Sequence, residues 1–193
     1  MSRFSRSALA IVVVLSACDA SQAPTAPAVR PLFSSGSSVT GHANGSGTFN
    51  IGAPGADIAF DLNALLRADG SASGSVYYIT DLTDFGLATI EIRFDVTCLA
   101  LDVGLGRAWI GGVVTENNST NELYATDPKR QVGRDVWFRV QDNGNGGSEA
   151  LDRSTQLGFE GSGGITTSAE YCAARLWPAA PPHQVTTGNI SIR

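Results

Sequence analysis

Alternation of apolar and polar side chains along residues 89–101 is the feature of this sequence that most constrains its fold. From residue 90 to residue 98, charged or hydroxyl side chains separate successive apolar positions. A period of two puts alternate side chains on opposite faces of an extended strand. The pattern therefore predicts a β-strand with one solvated face and one buried face, the buried face being made by Ile90, Ile92, Phe94, Val96 and Cys98.

The same period recurs along the rest of the chain. Trp137 and Arg139 are predicted to lie on the face opposite Val136, Phe138 and Val140. Further strand candidates are residues 49–51, 58–62, 74–80, 108–115, 155–159 and 188–192. Two short segments, 62–68 and 169–176, have weak helical spacing and predict a short turn or helix each.

Turn signals separate these strand candidates. Dipeptides that favour tight turns are Asn44-Gly45, Asp69-Gly70, Asn143-Gly144 and Asn145-Gly146. Short strands with frequent turns are typical of all-β domains. The sequence therefore predicts an antiparallel β-sandwich or a partly closed barrel of about eight or nine short strands.

The first residues have the layout of an export signal. Arg3 and Arg6 precede an apolar run over 8–15 that is too short to span a bilayer. The segment Leu15-Ser16-Ala17-Cys18 resembles the lipobox of bacterial lipoproteins, which implies that residues 1–17 are removed and that Cys18 is lipidated. Several acyl chains anchor a protein stably, since each buried methylene contributes about 0.8 kcal/mol. The alternative is an ordinary cleaved signal with an incidental cysteine.

An export signal with a lipobox predicts a protein of the bacterial cell envelope that is lipid-anchored and either periplasmic or exposed at the surface. Residues 18–38 contain Pro24, Pro27 and Pro31 among alanines and serines, a composition that predicts a disordered tether. A single domain is predicted over 39–193. The membrane, reached through the lipid, is the first expected partner.

Charge excludes one class of partner. With Arg3 and Arg6 removed, 11 basic side chains remain against 18 acidic ones, a net charge of −7. Binding to nucleic acid needs a basic patch to neutralise phosphates. We therefore expect no nucleic-acid partner.

Cys98 and Cys172 are the cysteines that remain once Cys18 is acylated. An even number of cysteines in an oxidising compartment predicts a disulfide between them. Closing a loop of about 75 residues contributes up to about 4 kcal/mol in the chain-entropy model. The alternative is a pair of buried free thiols; a metal site is less favoured, since neither cysteine has a nearby Cys or His.

The region after the tether resembles a family of small secreted bacterial domains of the kind called post-COAP. The matching segments, in the family's order, are Val39-Thr40-Gly41, Phe60-Asp61-Leu62-Asn63-Ala64, Asp95-Val96-Thr97-Cys98-Leu99, Ala108-Trp109-Ile110-Gly111-Gly112, Val140-Gln141-Asp142-Asn143-Gly144 and Gly188-Asn189-Ile190. The resemblance implies an all-β domain and no particular activity. Residues 117–131 are longer than the family's usual connection and are predicted to form a surface loop.

Signals for hydrolytic chemistry are weak. His42 and His183 are far apart in the sequence, and no G-x-S-x-G segment is present. Glu91 and Asp95 can be read as paired carboxylates of a glycosidase, but Arg93 alternates with them and favours a solvated strand face.

An acidic, glycine-rich segment over 142–152 is the best candidate for an ion site. Oxygen ligands for calcium are available from Asp142, Asn145, Glu149 and Asp152. The spacing is not that of an EF-hand, and the alternative is a plain hairpin loop. Calcium is therefore the one cofactor considered, and the preferred prediction is none.

Outward aromatics allow a second kind of site. Tyr77 and Tyr78 are adjacent, so one of them faces outward, and Trp137 lies opposite the apolar face of its strand. Two such rings on a sheet face can stack against a sugar. The alternative, which we prefer, is that each outward ring packs beneath another segment.

These observations favour a non-enzymatic binding or structural module of the envelope, with an envelope protein or a polysaccharide as a further partner. A calcium-dependent or carbohydrate-active envelope enzyme is the alternative.

Overall fold

The computed structural model describes residues 37–52, 55–80, 88–144, 151–177 and 182–193 of the chain. The strands in these residues are β1 (Val39–Asn50), β2 (Asp57–Arg67), β3 (Ala72–Thr80), β4 (Ile90–Asp102), β5 (Arg107–Asn117), β6 (Asp135–Gln141), β7 (Arg153–Ser154), β8 (Gly158–Phe159) and β9 (His183–Ile192). Two short helices accompany them, α1 (Glu122–Thr126) and α2 (Ser168–Ala174). Cys18 lies outside the described residues.

All strand pairings are antiparallel, and together they close into a ring. Strands β1 to β6 pair in chain order, β6 pairs with both β7 and β8, and β7 pairs with β9, which returns to β1. The pairings of β7 cover two residues only, so the ring is weakly closed there. The predicted all-β, antiparallel, sandwich-like fold is confirmed.

Apolar side chains of the long strands fill the inside of the ring. The inner core, as we name it, is centred on five fully buried residues: Phe49, Leu62, Ile92, Phe94 and Phe138. Phe94 and Phe138 meet edge to face at 6.1 Å between ring centroids. The alternating pattern of β6 is confirmed, since Val136, Phe138 and Val140 all belong to this core.

A bulge in β4 corrects one sequence prediction. The pairing register with β5 shifts between Val96 and Cys98, which inserts one extra residue into β4. Val96 faces the inner core, but beyond the bulge Leu99 takes that face instead of Cys98. The prediction that Cys98 shares the face of Val96 is therefore wrong, because simple alternation cannot register the extra residue.

Two further local predictions fail. Residues 62–67 belong to β2 and not to a turn or helix, because their backbone pairs with β1 and, as far as Leu66, with β3. Asn44-Gly45 lies within β1 and makes no turn; Gly45 has φ +144, and a Cβ there would come 2.1 Å from the Asn189 carbonyl oxygen. The glycine is needed for close strand approach. Asp69-Gly70 does form the turn between β2 and β3.

The connection between β5 and β6 is held in place by the side chain of Asn117, the last residue of β5. Its side-chain amide donates hydrogen bonds to the carbonyls of Tyr124 and Arg130, at 2.8 and 3.0 Å. These bonds hold α1 and the following 3₁₀ turn, Pro128–Arg130, against the end of the sheet. In the described part of the chain, neither helix has the length or apolar character needed to cross a bilayer.

Candidate functional site: a cleft beneath helix α2

A second apolar layer covers the outside of the sheet at β4, β5 and β6. This outer layer consists of Ala100, Trp109, Trp137, Ile165, Tyr171 and Cys172, with Cys98 and Trp177 packed against it. All three tryptophans of the chain belong to it. The inner core is already complete without these residues, so the outer layer is a second apolar cluster that the sheet itself does not require.

Strand register aligns the sheet side of the outer layer in two rows. Cys98, Gly111 and Trp137 are paired across β4, β5 and β6, and Ala100, Trp109 and Arg139 form the next row on the same face. Gly111 is required in the first row. A Cβ on it would lie 2.6 Å from the Cys98 sulfur and 2.8 Å from the Ser168 Cβ.

Helix α2 forms the cover of this layer, and its first turn is well capped. Thr167 accepts a hydrogen bond from the Glu170 amide at 3.1 Å, while the Glu170 carboxylate accepts one from the Thr166 amide at 2.9 Å. That amide bond is also the main cause of the lowered pKa of Glu170. Asp135 of β6 accepts from the Ser168 amide at 2.8 Å, which ties the helix start to the sheet.

A disulfide fixes the middle of α2 to β4. Cys98 and Cys172 are bonded, with their Cα atoms 6.2 Å apart, as the sequence predicted. The β4 bulge makes this bond feasible, because it turns Cys98 outward toward the helix. Tyr171, the residue before Cys172, is thereby held over the sheet.

A cleft of about 320 Å³ opens between this layer and the segment that follows β7. Trp137 and Tyr171 stack at its base, with ring centroids 5.6 Å apart and planes 22° from parallel. Its described lining also includes Leu157, Gly158, Ile165, Leu176 and Arg139. Gly158 must lack a side chain, since a Cβ would come 2.3 Å from Nε1 of Trp137.

Arg139 brings a charge to this otherwise apolar and aromatic lining. One of its terminal nitrogens donates to the Leu176 carbonyl at 3.3 Å, and its buried Nε has no hydrogen-bond partner among the described residues. Burial lowers the pKa of Arg139, and the neighbouring Tyr171 hydroxyl acts in the opposite direction. Burial raises the pKa of Tyr171 to about 12, against the opposing effect of Arg139.

Trp177 closes the outer layer beyond α2. Its ring meets Trp109 edge to face at 5.6 Å, and the guanidinium groups of Arg107 and Arg139 lie 4.4 and 5.2 Å from its centroid. The indole N–H of Trp109 donates to the Leu176 carbonyl at 2.9 Å. These contacts fix the chain that leaves α2 along the edge of the cleft.

The predicted calcium ligands are only partly within the described residues: Asn145 and Glu149 lie outside them. Asp152 is 6% exposed and accepts from the amides of Asn143 (2.9 Å) and Ile190 (2.7 Å). Asp142 accepts from the amides of Gly144 (2.8 Å) and Ile192 (3.0 Å). Both carboxylates therefore tie the end of β6 to β9, and the calcium site itself stays a prediction.

The described residues contain no group of three metal-ligating acidic, histidine or cysteine side chains. His183 begins β9 and stacks on Phe49 at 5.4 Å, which gives it a packing role.

The two outward aromatics do not form a shared platform. Tyr77 lies on the outer face of β3 with the Arg93 guanidinium 4.2 Å from its ring centroid, whereas Trp137 is buried beneath Tyr171. The sugar-stacking hypothesis for this pair is wrong, and packing beneath another segment holds for Trp137. Arg93 also pairs with Glu116 at 3.3 Å, on the solvated face predicted for that strand.

Sequence reasoning placed Trp137 and Arg139 on one outer strand face but missed the cleft. The missing partner was Tyr171, which is more than thirty positions away in the chain and lies on α2, a helix held to the sheet by the disulfide and by the Asp135–Ser168 hydrogen bond. The sequence did contain one signal for the cleft: Trp137 and Arg139 are two residues apart on the outer face of β6, where an exposed strand would be expected to carry smaller polar side chains.

Comparison with known proteins adds no family to this picture. No protein-family model, no curated protein and no solved structure matches the chain. The resemblance to the post-COAP domains stays a prediction.

Proposed function

We propose that this protein is a lipid-anchored, extracytoplasmic binding module of the bacterial envelope, and that the cleft beneath α2 holds its ligand. The observation that carries the proposal is the cleft itself, which the disulfide and the helix cap build on a sheet that already has a complete core. Binding pockets are concave, mostly apolar and supplied with a few polar groups, and this cleft has that composition.

The size and lining of the cleft favour a small ligand with an apolar body. A volume of about 320 Å³ is near the lower end of the range for small-molecule pockets. The aromatic base consists of two rings, Trp137 and Tyr171, that already stack on each other and are 4% and 6% exposed, so it suits a ring-bearing group that meets it edge to face. Leu176, a residue that is 51% exposed at the rim, provides a further apolar contact.

The titratable groups in the described lining suit binding better than proton transfer. Tyr171, with a pKa of about 12, keeps its proton at neutral pH. Arg139 has a lowered pKa, but a guanidinium stays charged at neutral pH. General acid–base catalysis is most efficient when the pKa lies near the working pH, and neither group meets that condition.

A variant of the rim tests the cleft without disturbing the fold. Leu176→Ser should weaken binding of the uncharged probe 4-phenylbutan-1-ol about fivefold, since roughly 1 kcal/mol of apolar contact is lost. The matched control is Leu123→Ser on α1, where the leucine is 59% exposed and does not line the cleft. Calorimetry on the full chain carrying Cys18→Ser avoids detergent. Equal affinities for both variants and the parent would refute the assignment.

The anchor is tested separately in cells. Cys18→Ser should move the protein from the membrane fraction to the soluble fraction, because the acyl chains can no longer be attached. Unchanged membrane association, together with no acyl mass on the N-terminal peptide, would contradict the lipidation.

A further inference from the structure

We infer that the ligand of this cleft carries a carboxylate and that Arg139 binds it through paired hydrogen bonds. The inference rests on the proposed function, because it assigns chemistry to the same cleft. It names the ligand class as a small molecule with an apolar, ring-bearing body and a carboxylate on a short chain.

The first support is the hydrogen bonding of Arg139. A guanidinium offers five N–H donors in a planar fork that matches a carboxylate. The structure accounts for a bond from a terminal nitrogen to the Leu176 carbonyl and for a side-chain bond with Tyr171, and it leaves the buried Nε without a partner in the described residues. A carboxylate in the cleft would accept from the terminal N–H groups that these two bonds leave over.

The second support is the absence of an internal counter-ion. The chain has 18 acidic side chains, yet among the described residues the two ion pairs engage Arg93 and Arg130. Arg139 is half-buried and forms none. A half-buried guanidinium with no acidic partner among the described residues is placed to pair with an external anion, and charge-assisted bonds of this kind are strong in a partly dry site.

The third support is where the charge lies relative to the rings. Arg139 is two residues from Trp137 on the same face of β6, and its guanidinium lies 5.2 Å from the centroid of Trp177, which does not line the cleft. A ligand with its ring on the Trp137–Tyr171 base would therefore reach Arg139 with a carboxylate attached through a short spacer.

Arg107 provides an internal control for this role. Its guanidinium also lies over Trp177, at 4.4 Å, and its Nε is also buried without a partner in the described residues. Unlike Arg139, it does not line the cleft. A purely structural role in packing Trp177 is shared by both arginines, whereas a role in ligand binding belongs to Arg139 alone.

The experiment compares 4-phenylbutyrate with 4-phenylbutan-1-ol on the full chain carrying Cys18→Ser. We expect the carboxylate to bind at least tenfold more tightly, with a preference that falls as salt is raised. Arg139→Gln should abolish the preference for the carboxylate over the alcohol, while Arg107→Gln, at a residue outside the cleft lining, should keep that preference. If Arg139→Gln does not fold, Arg139→Lys replaces it and should reduce the preference, since lysine keeps the charge without the fork.

The outcomes separate the two proposals. Equal binding of both probes overturns the carboxylate assignment and leaves the cleft as a binding site. Equal loss of preference in the Arg107 and Arg139 variants overturns the specific role of Arg139. Tighter binding of 4-phenylbutyl phosphate than of the carboxylate overturns the ligand class. Binding of none of the probes contradicts the proposed function as well.

Discussion

The inner core and the outer layer are two apolar clusters on opposite faces of the same strands, and they are built in different ways. The inner core brings together side chains of neighbouring strands in a regular antiparallel register. The outer layer depends on a bulge, a glycine in the middle of a strand, a disulfide and a seven-residue helix. The first cluster is what the sheet needs to fold, and the second is an added structure with a cleft in it.

This difference predicts that damage to the inner core unfolds the whole ring. Phe94 is fully buried and packs edge to face against Phe138. Phe94→Ala should lower the free energy of unfolding by about 3–5 kcal/mol, because it leaves a cavity in a closed ring. Urea denaturation followed by circular dichroism measures the loss. A cost below about 1 kcal/mol would mean that the ring does not depend on this core.

Removal of the disulfide should damage mainly the outer layer. The double variant Cys98→Ala, Cys172→Ala should lose about 2–4 kcal/mol of stability. Because all three tryptophans lie in the outer layer, their emission should shift toward longer wavelength while the strand signal in circular dichroism persists. If both signals are lost together, the two clusters are one cooperative unit and the comparison fails.

High pH should weaken the outer layer through Tyr171. Its folded-state pKa of about 12 lies above the usual value of 10.0, so the unfolded chain loses this proton first. The stabilisation is complete below pH 10 and falls by roughly 2–3 kcal/mol as the pH rises toward 12. Urea melts between pH 9 and 11.5 should show this slope, to which Tyr78 also contributes. Tyr171→Phe should flatten it; an unchanged slope would contradict the burial of this hydroxyl.

Sequence periodicity predicted the inner core well and the outer layer poorly, for a physical reason. Alternation is a local property of each strand, so Phe94 and Phe138 could be assigned to a common buried face without knowledge of the fold. The position of Cys98 depends on one extra residue in β4, which the alternating pattern does not reveal. The cleft also requires Tyr171 of α2 to pack against Trp137 of β6. This contact joins residues far apart in the sequence, so no local pattern predicts it.

The smallest expected effect concerns the ties between β6 and β9. Asp152→Ala should cost about 1–3 kcal/mol, because the amides of Asn143 and Ile190 lose their buried acceptor. Asp142→Ala, at a more exposed position, should cost less. Thermal melts with millimolar calcium and after chelation test the metal prediction in the same experiment. A rise in melting temperature that chelation removes would support a calcium site, and no response would contradict it.

The most direct test of the central claim, that the outer layer is the binding site, is an NMR titration of the three tryptophan indole N–H groups with 4-phenylbutyrate. Trp137 lines the cleft, Trp177 adjoins Arg139, and Trp109 lies behind them. We predict saturable shifts that are largest for Trp137, with the amides of the inner-core residues Phe49 and Leu62 unchanged. Shifts confined to amides outside the outer layer, with all three indoles unmoved at saturation, would contradict the account.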